Sequence, residues 1–129
     1  MNRDSFIRKV LWATVFYNVL AASAFAFPAS LGQLAGLPLP VAPIYTVLLT
    51  FFVLLFGAAY AWLALQPQID RPMLAMAAAG KAGVFFVAVA LWMVGQGPGL
   101  FIPGAVGDLV FAALIVWWLR TTPARESRS

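Results

Sequence analysis

Ile44-Tyr-Thr-Val-Leu-Leu-Thr-Phe-Phe-Val-Leu-Leu-Phe-Gly-Ala-Ala-Tyr-Ala-Trp-Leu-Ala-Leu65 runs for 22 residues without a charge. At about 1.5 Å of rise per residue a helix of that length crosses the ~30 Å hydrocarbon layer of a bilayer. Tyr45 at one end and Tyr60 with Trp62 at the other fit the aromatic belts of the two membrane interfaces. Three more segments of the same kind surround this one. Val10–Phe27 is interrupted only by Thr14, Tyr17, Asn18 and Ser23. Met73–Val94 carries Lys81, and the last segment, about 100–119, carries Asp108. The spans are therefore placed at about 10–27, 44–65, 73–94 and 100–119. Residues 120–129 follow as a basic tail.

Composition supports the same reading. Of 129 residues, 64% are hydrophobic and 9% charged, far from the soluble norm of about half and a quarter. There is no cysteine and no histidine. This removes disulfide and thiolate chemistry, zinc sites and histidine-ligated haem. A pI near 10.1 is shared with nucleic-acid binders, but here the basic residues flank apolar runs and do not interleave with polar and aromatic ones. No nucleic-acid partner is expected; the expected surroundings are membrane lipids.

Arg3, Arg8, Lys9, Arg71, Arg120, Arg125 and Arg128 fall at the N-terminus, the second connection or the C-terminus. The first and third connections have none. With four spans those three basic segments lie on one side, and the positive-inside rule makes that side the cytoplasm. The expectation is an all-α polytopic protein of the inner membrane. Its four transmembrane helices form one antiparallel up-down bundle with both termini cytoplasmic. A rival reading takes residues 1–26 as a cleavable secretory signal, from Arg8-Lys9, the apolar core and Ala24-Phe25-Ala26. Asn18 within the core and Pro28 just past the cleavage point weigh against it. Pro28–Pro43 is uncharged and is expected to form a short interfacial helical turn; Asp4 with Ser5 is expected to cap the first helix.

Ala77-Ala-Ala-Gly-Lys81-Ala-Gly-Val-Phe-Phe86 and Pro103-Gly-Ala-Val-Gly-Asp108-Leu-Val-Phe111 each bury one full charge in an apolar run, with opposite signs. A charge in hydrocarbon is expensive unless paired, which makes it a site by default. Small and polar residues at helical spacing mark interior stripes. These are Leu11, Thr14, Asn18, Ala21 and Phe25; then Thr46, Thr50, Val53, Gly57, Tyr60 and Ala64. The third span gives Ala77, Lys81, Val84, Ala88 and Leu91, and the fourth Ala105, Asp108, Ala112, Ile115 and Leu119. Counting along each helix puts Asn18 and Lys81 near the midplane, with Thr50 and Asp108 ~5–8 Å further out. Lys81, Asp108, Asn18 and Thr50 are thus expected to meet, one from each helix. The helix start at Pro103 is expected to favour the Asp108 carboxylate through its dipole. Tyr17, Tyr45, Tyr60 and the tryptophans are expected as interface anchors and core filler. Ala79, Gly80, Gly83, Val87 and Ala90 leave a second, small face on the third span. A faint repeat is also visible: Phe56-Gly-Ala-Ala with Trp62 echoes Phe111-Ala-Ala-Leu with Trp117, and Tyr17-Asn18 echoes Gly80-Lys81.

No nucleophile–base–oxyanion set and no metal cluster is legible, so no catalytic residue, metal or cofactor is expected. The sequence favours a non-enzymatic accessory or scaffold subunit of a membrane assembly, with the Lys81–Asp108 pair fixing helix register. It leaves open a homo-oligomer or a larger complex. The alternative is a binder or transporter of a small ligand, ion or proton, using the two charges in a midplane cavity. The connection Phe27-Pro-Ala-Ser-Leu-Gly-Gln-Leu-Ala-Gly-Leu-Pro38, the Gly80-Lys81 pair and Gly107-Asp108-Leu-Val-Phe-Ala112 resemble those of small bacterial DoxX-like four-span membrane proteins. That resemblance implies the four-helix architecture and no particular activity.

Overall fold

Four long helices, Arg3–Ala26 (α1), Pro43–Leu65 (α2), Arg71–Met93 (α3) and Ile102–Thr121 (α4), make up the computed structural model, which describes residues 3–38 and 41–124. All four are long and apolar enough to cross a membrane, and no strand occurs among the described residues. Proline sets most of the boundaries. Pro28 follows the end of α1, and Pro43, Pro72 and Pro103 stand in the first turn of the next three helices. The missing N–H of proline is harmless there, because first-turn N–H groups have no intrahelical partner. Asp70 caps α3 by accepting from the Met73 N–H at 3.0 Å.

Helix α1 begins at Arg3, earlier than its apolar run, so Asp4 and Ser5 lie inside the first turn instead of capping it. The first connection does carry helical structure, a π-turn over Pro28–Gly32. It then turns at Gly36, which has φ +85°, and packs against the backbone of Leu100 and Phe101 in the third connection. A side chain there would meet both strain and a collision. Arg125 and Arg128 of the basic tail lie outside the described residues.

The helices alternate in direction. Arg3 at the start of α1 donates to the Thr121 carbonyl at the end of α4, and Arg8 reaches the end of α2. Packing is closest within the α1–α2 and α3–α4 hairpins and thinner between them. The core (Ile7, Leu11, Leu63, Leu74, Ile115 and Trp118 among others) fills the half of the bundle nearer the arginines. Outward, large apolar side chains stand bare, such as Phe16, Val47, Trp62 and Met93. This inversion is what a bilayer solvent permits.

The two hairpins follow one plan. Arg8 donates from Nη1 to the Ala64 carbonyl at 2.5 Å and from Nη2 to Pro67 at 3.1 Å. Arg71 donates from Nη2 to Leu119 at 2.6 Å and from Nη1 to Thr122 at 2.8 Å. Each arginine thus supplies donors to the orphan carbonyls at the end of its partner helix. Asn18 Nδ2 donates to the Val53 carbonyl at 3.0 Å, and Lys81 Nζ to Asp108 at 2.7 Å. A 63-residue shift maps Arg8 onto Arg71 and Asn18 onto Lys81. A 55-residue shift maps Val53, Ala64 and Pro67 onto Asp108, Leu119 and Thr122. The same shifts match buried Leu11, Thr14, Gly57, Tyr60 and Leu63 with buried Leu74, Ala77, Ala112, Ile115 and Trp118. The longer first connection absorbs the difference between the shifts. The hairpins are therefore parallel repeats, related by an axis that runs along the helices.

Candidate functional site

Lys81 sits on the buried side of α3 with Ala77 and Ala88, and only 3% of the residue is exposed. Its ammonium donates to Asp108 Oδ1 on α4 at 2.7 Å and to Asn18 Oδ1 on α1 at 3.1 Å. Three aromatic faces close round the same nitrogen. Tyr60 of α2 lies 5.2 Å away from ring centroid to Nζ, Phe111 of α4 5.4 Å and Tyr17 of α1 5.6 Å. Aromatic rings present negative potential to a cation at this range. All four helices therefore contribute to one ammonium group.

Asn18 is fixed from both ends. Its amide nitrogen is committed to the Val53 carbonyl, which turns its oxygen toward Lys81. Tyr17 is held by its hydroxyl, which donates to the Gly104 carbonyl, and by an edge-on contact with Phe111 at 5.5 Å. Gly107 gives Tyr17 its berth: a Cβ at Gly107 would lie 2.5 Å from the hydroxyl oxygen and 2.7 Å from the ring carbon that bears it. The Asp108 side chain is 16% exposed against 4% for that of Lys81. Its second oxygen has no protein partner among the described residues and is not sealed from the exterior.

Of the four residues expected to meet, Lys81, Asp108 and Asn18 do. Thr50 does not. Its hydroxyl donates to the Thr46 carbonyl of its own helix at 2.7 Å, the usual resort of a threonine in a helix interior. It lines instead an apolar groove of about 370 Å³ with Phe25, Thr46, Val47, Phe51 and Leu54. The level expected for Thr50 is taken by the Val53 carbonyl, one turn nearer the arginines. Thr50→Val is accordingly expected to change stability by less than about 0.5 kcal/mol. An unfolding titration in mixed micelles measures this, and a larger loss would return Thr50 to the site.

Two other expectations are corrected. Tyr60 is part of the core as expected, but its ring and that of Tyr17 also lie 5.2 and 5.6 Å from the lysine nitrogen, a role beyond anchor or filler. Tyr60 was legible from its place on the α2 stripe, and Tyr17 from its position beside Asn18. Asp108 is also deeper in α4 than the dipole argument requires. The helix starts at Ile102, its first turn holds no acidic residue, and the dipole's influence fades within one turn. Lys81, not the helix start, balances the carboxylate. On α3, Val84 and Leu91 are exposed, so its interior stripe holds for Ala77, Lys81 and Ala88 alone.

The arrangement can hold one positive charge tightly at a junction of four helices. Neither the groove beside Thr50 nor the cavity at the arginine end includes Lys81 or Asp108 in its walls. No group of three or more metal-ligating side chains occurs among the described residues. No family model matches this chain, and neither a curated protein nor a solved structure matches it.

Proposed function

We propose that the protein is a non-enzymatic accessory or scaffold subunit of an inner-membrane assembly, with both termini in the cytoplasm, in which Lys81 locks the register of the four helices. One observation carries this reading. The Lys81 ammonium contacts α1 through Asn18 and Tyr17, α2 through Tyr60, and α4 through Asp108 and Phe111. A general acid, base or nucleophile needs access and spare hydrogen-bonding capacity, and this group is walled in. The orientation rests on the gathering of Arg3, Arg8, Arg71 and Arg120 at one end of the bundle. The likeness to DoxX-like proteins belongs to the same reading and adds architecture to it.

As partner surface, the reading uses the small face of α3. Gly80 and Gly83 have no atom of the chain within 4 Å of where a Cβ would stand, so another helix could approach the backbone closely. Purification in a mild detergent, followed by crosslinking at Ala79→Cys or Val87→Cys, is expected to yield a homo-oligomer or a co-purifying subunit. Monomer alone, with no crosslink and no partner, would count decisively against a scaffold.

A second reading, a site for a small ligand, ion or proton, has one observation in its favour: the unpartnered oxygen of Asp108. Its signature is labelling of Asp108 by an apolar carbodiimide, with protection by a ligand or by a change of pH. An unreactive Asp108 leaves the register lock alone.

A further inference from the structure

Two polar atoms beside Lys81 are left over by the register lock. One is the second oxygen of Asp108, whose side chain is 16% exposed. The other is the Tyr60 hydroxyl. Tyr60 is only 6% exposed, yet its hydroxyl makes no hydrogen bond among the described residues. Thr122 Oγ1 is the one side-chain oxygen there that is both sealed and unpaired, so the Tyr60 and Asp108 oxygens each keep a way out. Buried polar atoms are paired as a rule, and two unpaired ones round a single ammonium point to a guest. Helix α2 runs from Pro43 toward the arginine end, and helical side chains lean toward the start of their helix. Tyr60 therefore tilts away from that end and over Lys81, 5.2 Å from ring centroid to nitrogen. Packing alone does not ask for its hydroxyl: the repeat places Ile115 at the equivalent position of α4, equally part of the core.

The way in lies on one flank. Toward the arginines the bundle is closed by Ile7, Leu11, Leu63, Leu74 and Ile115, all at most 1% exposed. At the far end the first connection lies across the third, with Gly36 on Leu100 and Phe101. Tyr17 fills the α1–α4 seam against Gly107. Between α2 and α3 the packing is thinner. Gly80 stands there where the repeat has Tyr17, and no atom of the chain lies within 4 Å of a Cβ placed on it. Val84, one turn beyond Lys81 on its interior stripe, is 41% exposed. In a membrane that flank opens on lipid.

Charge selects the guest. Lys81 and Asp108 already cancel, so an added anion or cation would stand unbalanced where a lone charge is costly. A neutral hydroxyl fits: it donates to the free Asp108 oxygen and accepts from Tyr60. We propose that a lipid-soluble alcohol, one hydroxyl on an apolar body, enters between α2 and α3 and binds to Asp108 and Tyr60. The alcohol is then the ligand of the small-molecule site at Asp108 given above as the second reading, and it stands only if that site does.

The full chain is reconstituted in phosphatidylcholine vesicles, whose lipid offers no hydroxyl, and 1-dodecanol is compared with dodecyl methyl ether and dodecyltrimethylammonium. Labelling of Asp108 by an apolar carbodiimide and the melting temperature are read together. Dodecanol is expected to slow the labelling and raise the melting temperature. The ether accepts but cannot donate, and about three- to tenfold more of it is expected to be needed, the worth of one hydrogen bond. Tyr60→Phe keeps the ring over Lys81 and removes only the hydroxyl. It is expected to leave the alcohol-free melting temperature unchanged and to weaken protection by dodecanol about three- to tenfold. Labelling that dodecyltrimethylammonium or a change of pH prevents, and dodecanol does not, keeps the ligand site and overturns the alcohol. Equal protection by the ether, or by dodecanol in Tyr60→Phe, overturns the hydroxyl contact. An Asp108 that the carbodiimide never reaches, in a protein that dodecanol does not stabilise, removes the site and its alcohol together.

Discussion

Lys81→Met and Asp108→Asn are each expected to destabilise the protein by about 3–5 kcal/mol, the range for breaking a buried ion pair from one side. The loss comes less from the attraction removed than from the charge left behind. In Lys81→Met a carboxylate stays in the bundle with no cation near it. In Asp108→Asn the ammonium, whose side chain is only 4% exposed, keeps Asn18 and three rings but loses its counter-charge. The Lys81→Met, Asp108→Asn double variant removes both charges and is expected to recover most of the loss, since apolar replacement of a buried pair is often close to neutral. Unfolding in mixed micelles across this cycle gives the coupling directly. Additive losses would show that the two charges do not stabilise one another. A double variant that is stable but has lost the assembly or transport role would make the pair a site instead of a lock.

The pair itself was legible because the bilayer makes charge conspicuous. A lysine and an aspartate inside apolar runs stand out without any knowledge of the fold, and counting residues from the boundaries puts them within reach of each other. Asn18 was legible on the same grounds. Thr50 failed because depth and stripe place a backbone position, while a threonine hydroxyl can satisfy itself on its own helix. The aromatic cage failed for a different reason. Tyr17 and Tyr60 occupy positions where an interfacial anchor and a cation–π partner have the same sequence signature, and only the approach of the helices separates the two.

The repeat lay between these extremes. Its residues are visible in the sequence, but the matches fall among common apolar types and the two shifts differ. What makes it firm is the hydrogen bonding, in which Arg8 and Arg71 reach equivalent carbonyls. The repeat also changes the meaning of the central pair. Lys81–Asp108 corresponds to Asn18–Val53, a contact within one hairpin. What joins the hairpins at this level is the remainder of the lysine's surroundings: Asn18, Tyr17 and Tyr60.

That distinction gives the second large effect. Gly107→Val is expected to cost about 3 kcal/mol, at the upper end for over-packing. The first added carbon alone would stand 2.5 Å from the Tyr17 hydroxyl oxygen and 2.7 Å from the adjoining ring carbon. Tyr17 cannot simply swing aside: its hydroxyl is bonded to the Gly104 carbonyl and its ring packs on Phe111. Displacing it removes one of the three faces round Lys81 and opens the α1–α4 seam, while the Lys81–Asp108 bond within the second hairpin stays intact. The other seam has no counterpart of this contact: Gly80 stands in the place of Tyr17 and Phe52 in that of Gly107, and no atom of the chain lies within 4 Å of where a Gly80 Cβ would stand. A Tyr17→Gly change in the Gly107→Val background is expected to restore part of the stability, because the collision disappears even though the ring is lost. Unfolding of the two single variants and the double measures this coupling. Full additivity would mean that Tyr17 is not what Gly107 makes room for, and that the hairpins are joined elsewhere.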